Sequence, residues 1–83
     1  MSDAKYRQRF EKYLSIILDG NSIDFRNNVS ICLINDYYER NVVGRYYQVH
    51  CDDSRFQFSQ LYKSPRRALE KFLEIRNKLR KRN

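Results

Sequence analysis

Few residues of this 83-residue chain have side chains suited to catalysis or metal binding, and their spacing restricts them further. The thiols are Cys32 and Cys51, the only histidine is His50, and Asp52 and Asp53 follow directly. A redox or metal site would need a C-x-x-C pair or a comparable ligand cluster, and none is present. His50 and Cys51 are neighbours in a segment of strand character. Their side chains therefore point to opposite faces, which keeps them from gripping one ion or acting as a nucleophile and its base. Cys32 with His50 across two strands is geometrically open, but no oxyanion-hole signature lies beside it. Asp52 and Asp53 sit in a predicted turn, where their carboxylates cap the backbone. No glycine-rich phosphate loop exists in a chain with two glycines. These residues predict no enzyme, no metal and no cofactor, and the two cysteines read as buried thiols in a reducing compartment.

The remaining chemistry is electrostatic. The stretch "YKSPRRALEKF", residues 62–72, contains Ser64 and Pro65, the N-cap and first-turn proline of a helix. Arg66 and Arg67 then occupy the first turn, at the positive end of the helix dipole, where a carboxylate is the stabilising choice. The orphan N–H groups of a helix start together with two arginines attract a phosphate. Charge along the chain points the same way. The net charge is +7, and residues 63–83 hold nine basic residues against two acidic ones, whereas residues 1–62 hold eight of each. The final segment thus carries the whole excess, as expected for a chain with an acidic partner. The candidate phosphate-contacting residues are Lys63, Arg66, Arg67, Lys71, Arg76, Lys78, Arg80 and Lys81. Tyrosine pairs at 37–38 and 46–47 place neighbours on opposite faces of a strand, so Tyr38 and Tyr46 are candidates to stack bases. Tyrosines of this kind also stabilise a sheet by pairing across strands.

These residues must be positioned by a small set of elements. Tyr6, Phe10, Tyr13, Leu14, Ile17 and Leu18 recur at steps of three and four, which predicts an amphipathic helix over 3–19 that stops at Gly20 and Asn21. "NVSICLIN" (28–35), "GRYYQVHC" (44–51) and "RFQFSQLY" (55–62) have strand character, with "NDYYERNVVG" (35–44) and "DDS" (52–54) as separators. A short extra strand at "SIDF" (22–25) is left open. Ala68, Leu69, Phe72, Leu73, Ile75 and Leu79 form the apolar face of a last helix, with lysines and arginines opposite. The order is helix-strand-strand-strand-helix: a two-layer α+β domain with a three-stranded antiparallel sheet and two amphipathic helices on one face. One domain over 1–83 is expected, with 80–83 a frayed basic tail. No apolar run approaches the ~20 residues that span a bilayer, and "MSDAKYRQRF" has no signal-peptide stretch, so a cytoplasmic protein is expected.

The element order and the basic start of the last helix resemble the double-stranded RNA-binding domain. In that family the last helix opens on a lysine-rich turn that meets phosphates across the grooves, while the first helix and a loop between strands reach the minor grooves. Ser64, Arg66, Arg67, Ala68 and Lys71 stand roughly where the family has its serine, lysine, lysine and alanine run. Pro65 replaces a usual lysine, Tyr62 and Lys63 replace the preceding glycine, and the family's Gly-Pro-His type loop is absent, His50 lying in a strand.

The function expected from the sequence is binding of structured RNA or DNA, RNA ahead of DNA, through phosphates and without strong base specificity. The alternative is a protein-interaction module, an adaptor or inhibitor, that docks on an acidic protein through the tyrosine-rich sheet and the basic helix. A solubilising role for the basic helix needs no partner at all. A membrane surface is disfavoured, because Leu69, Phe72, Ile75 and Leu79 are needed by the core. Oligomeric state is not legible in the sequence.

Overall fold

A computed structural model describes residues 3–25 and 28–80 of the chain. The elements are α1 (Asp3–Leu18), β1 (Ile23–Phe25), β2 (Val29–Tyr38), β3 (Asn41–Asp53), β4 (Phe56–Tyr62) and α2 (Pro65–Arg80). The strands form one antiparallel sheet in the order β1-β2-β3-β4. The α+β expectation holds, and the short stretch at 22–25 supplies a fourth, three-residue edge strand. Both helices lie on one face of the sheet, with α2 over β2, β3 and β4 and with α1 against α2, β1 and β2.

Local sequence explains the element ends. Gly20 at φ +90 closes α1: its N–H donates to the Ile17 carbonyl at 3.0 Å, and the Asn21 N–H reaches the Ile16 carbonyl at 3.2 Å. This is the paired bonding of a Schellman cap. At the start of α2 the Arg67 N–H donates to Ser64 Oγ at 3.3 Å, and the Ala68 N–H makes the first helical bond to the Ser64 carbonyl at 3.1 Å. Ser64 is therefore the N-cap, with Pro65 at the first helical position.

The region 35–44, expected as a separator, is mostly strand. β2 and β3 continue to Tyr38 and Asn41, leaving only Glu39 and Arg40 as the turn. Both have positive φ, 48° and 74°, as the central residues of a type I′ hairpin do. The right-handed twist of the strands selects this turn despite the residues that occupy it. A register shift after Asp36 leaves Val43 as the extra residue of a bulge, since Asp36 pairs with Gly44 and Tyr37 with Val42. The thirteen residues of β3, at roughly 3.4 Å each, account for most of the 46 Å long axis of the molecule.

The core lies between the layers. Val29 and Ile31 of β2 and Tyr47, Val49 and Cys51 of β3 meet Phe10, Leu14 and Ile17 of α1 and the whole apolar face predicted for α2. Fully burying each of these large side chains contributes about 1.5–3 kcal/mol, so the stripe of α2 is the largest single source of cohesion. Tyr6 and Leu18, expected on the apolar face of α1, are instead about half exposed, at 48% and 51%. No helix among the described residues is long and apolar enough to cross a membrane.

Candidate nucleic-acid interface

Alternation along the strands separates the two faces of the sheet. Tyr47, Val49 and Cys51 point to the helices, whereas Tyr46, Gln48 and His50 point away. Cys51 is 1% exposed and its Sγ lies 3.3 Å from the Phe56 carbonyl. Burial raises the pKa of its thiol, and burial also raises that of the half-buried Cys32. Neither thiol is a ready nucleophile. Among the described residues no group of three His, Cys, Asp or Glu side chains is placed to hold a metal ion. Asp53 caps the β3–β4 turn as expected, accepting from the Arg55 N–H at 2.8 Å and from Arg55 Nε at 3.0 Å, which lowers its carboxyl pKa. Both Asp52 and Asp53 are nevertheless the last residues of β3, paired with Gln57 and Phe56, so the expected turn at 52–54 shortens to residues 54–55.

Charge follows the same division. The two helices carry ten cationic side chains against four carboxylates, while the four strands carry four carboxylates and one arginine, Arg45. The helical layer is thus strongly positive, while the sheet with its hairpin turns, which add Glu39, Arg40 and Arg55, is only mildly acidic. Long-range attraction of a polyanion is directed to the helical face.

Within that layer the predicted cations do not form one stripe. On one flank of α2, Lys71 and Lys78 extend over the sheet edge: Lys71 Nζ lies 5.3 Å from the centre of the Phe58 ring, and Lys78 Nζ lies 5.7 Å from that of Phe56. The two phenylalanines stack on each other at 6.0 Å, forming a floor for the aliphatic stems. Lys71 also pairs with Glu74 at 3.3 Å. Lys63 and Arg67 are exposed near the start of the helix. Lys81 lies outside the described residues.

The other flank faces α1. Arg66 is held by Glu11 of that helix at 3.4 Å and lies over the Phe10 ring at 5.9 Å. This exposed pair contributes about 0–1 kcal/mol. It partly offsets the dipole penalty at Arg66, so that residue has an intramolecular reason to be basic. Arg67 has no carboxylate partner among the described residues.

Arg76 departs most from expectation. Sequence placed it on the solvent side of α2, yet it is 7% exposed. Its guanidinium lies 4.6 Å from the centre of the Phe25 ring, and NH1 donates to the Tyr13 hydroxyl at 3.5 Å. Phe25 is fixed in turn by stacking on Phe72 at 5.1 Å and by the edge of Tyr13 at 6.2 Å. The short strand β1 is therefore what seats the arginine. Arg76 Nε is buried without a hydrogen-bond partner, and among the described residues no carboxylate pairs with the guanidinium. The guanidinium is thus buried with no ion pair to offset its desolvation.

Arg76 opens onto a cleft of about 560 Å³ between α1 and α2, lined also by Lys5, Tyr6, Arg9, Asn77 and Arg80. Sequence reasoning missed Lys5 and Arg9, because residues 1–62 balance to zero net charge. The signal was present in the helical spacing of Lys5, Tyr6 and Arg9. Tyr6 also takes the role of the exposed aromatic beside the cations. The expected stacking residues are elsewhere: Tyr46 lies on the sheet face away from the helices, its ring within 3.0 Å of where a Cβ on Gly44 would stand, and Tyr38 is 67% exposed at the β2–β3 hairpin. The fold does not bring either of them to the basic helix.

No protein family, curated protein or solved structure matches this chain.

Proposed function

We propose that this protein is a small binding module for nucleic acid, structured RNA ahead of DNA, whose helical layer meets phosphates without reading bases. The observation that carries this reading is the segregation of charge, with ten cations against four carboxylates on the helices and the reverse excess on the strands. Solubility alone asks for charges of both signs interspersed over the surface, not for an excess of cations gathered on one layer. Phosphate contacts of this kind give affinity and orientation, and sequence preference stays weak. The cytoplasm, where such partners abound, is the matching compartment.

Fluorescence anisotropy with labelled duplex RNA, duplex DNA and single strands at low salt tests the reading. Arg67→Glu with Lys78→Glu should weaken binding at least tenfold, because each removes an attraction and adds a repulsion. Asp24→Asn on the sheet should leave it nearly unchanged. Equal effects from both faces, or no binding at all, would overturn the proposal.

A second reading rests on a different feature. Tyr37, Tyr38, Val42 and Val43 are 49–67% exposed around the β2–β3 hairpin, an apolar cluster that suits a protein partner. Co-purification of an acidic protein that is released by Tyr38→Ser, with no nucleic acid bound, favours that reading.

A further inference from the structure

The interface of α1 and α2 has two grooves, one on each side of Tyr6, and they differ in charge balance. In one, Arg7 and Arg66 face Glu11, Glu70 and Glu74, so the cations are matched. In the other, Lys5, Arg9, Arg76 and Arg80 converge with no carboxylate among the described residues of the lining. Four cations around one cleft repel one another, and one of them is buried with an unpartnered Nε. Such an arrangement is costly unless an anion enters.

We propose that this cleft is a binding site for a nucleotide phosphomonoester, whether free or at the end of a strand. The proposal deepens the nucleic-acid reading and rests on it only for the strand-end source. A phosphomonoester is a dianion with three free oxygens, so it accepts more donors than an internal phosphodiester does and suits four convergent cations better. The rim supplies what a nucleoside needs. Tyr6 presents a half-exposed ring, propped by Phe10 at a centroid distance of 6.1 Å, on which a base can stack. The Asn77 amide offers both donor and acceptor to a base edge. The 560 Å³ of the cleft falls within the range of small-ligand sites, about 300–1,000 Å³. Arg76, fixed on Phe25 before any ligand arrives, loses little freedom on binding.

The test compares single-stranded oligonucleotides that end in a phosphate with the same strands ending in a hydroxyl. A nucleoside monophosphate and its nucleoside are followed in parallel by NMR titration. The double variant Lys5→Gln with Arg9→Gln removes two exposed cations and spares the core, and Asp24→Asn on the sheet, outside the cationic layer, serves as control. The expected result is at least about tenfold tighter binding of the phosphate-bearing partner, lost in the double variant and retained in the control. Strands that bind equally well with either end, together with no binding of the monophosphate, overturn the site and leave the nucleic-acid reading standing. Monophosphate binding that depends on the cleft, with no strand bound, supports the site while the nucleic-acid reading falls. If neither strand nor monophosphate binds, both are refuted.

Discussion

Replacing Arg76 by methionine should make the free protein more stable and a poorer binder. The buried Nε–H without a partner costs about 1–3 kcal/mol. Against this, the guanidinium over Phe25 returns about 0.5–2 kcal/mol. The contact to the Tyr13 hydroxyl, at 3.5 Å, is at the outer limit of a hydrogen bond and adds little. Methionine is flexible enough to fill the stem volume beside Phe25 and Phe72 with no polar group to satisfy. The balance is a net stabilisation of about 1 kcal/mol, which raises Tm by roughly 4–8 °C in a domain of this size. Thermal unfolding followed by circular dichroism measures the first half, and anisotropy with a labelled strand measures the second. Affinity should fall at least tenfold while Tm rises, a trade of stability against function. A Tm lowered by the equivalent of more than about 2 kcal/mol would show that Arg76 is structural mortar. Binding unchanged in the variant would refute its role in anion capture.

Three further outcomes follow from the geometry. Glu39→Asn with Arg40→Gly, which suits both positive-φ positions of the β2–β3 turn, should stabilise the fold by about 1–2 kcal/mol in chemical denaturation. Alkylation of the folded protein should modify the half-buried Cys32 well before Cys51, and Cys51 should react only at the rate of unfolding, as mass spectrometry of the labelled sites would show. Arg55 holds the Asp53 carboxyl below its ordinary value of 3.8 in the folded state, so its contribution is fully present above that value and is lost as pH falls through the lower folded value. The Tm difference between the protein and Asp53→Asn should accordingly be constant near neutrality and vanish in acid.

Much of the fold is written locally. Ser64, Pro65 and Gly20 mark the helix ends through backbone geometry that needs no distant contact, and the apolar spacing of Leu69, Phe72 and Ile75 gives the buried face of α2 directly. The hairpin at 39–40 was hidden because Glu39 and Arg40 are poor type I′ residues, and the pairing of β2 with β3 imposes the turn on them. The candidate site was legible only in part. Counting charges along the chain finds the basic end of α2 but not the cleft, which forms where Lys5 and Arg9 of α1 meet Arg76 and Arg80 across more than sixty residues of sequence. Arg76 reads as a surface residue until β1 delivers Phe25 beneath it. Arg66 read as a phosphate ligand until α1 brought Glu11 beside it.

The most direct test of the helical layer as a phosphate-binding face is the salt dependence of binding to a duplex RNA. Lys5, Arg9, Arg67, Arg76, Lys78 and Arg80 provide six cations free of carboxylate partners among the described residues. If all six contact phosphates, counterion release from a duplex gives a slope of log K against log salt of roughly −5. A slope near that value, reduced by about one-sixth for each of these residues replaced by glutamine, is the predicted result. A slope near zero, or one that the substitutions leave unchanged, would contradict the account.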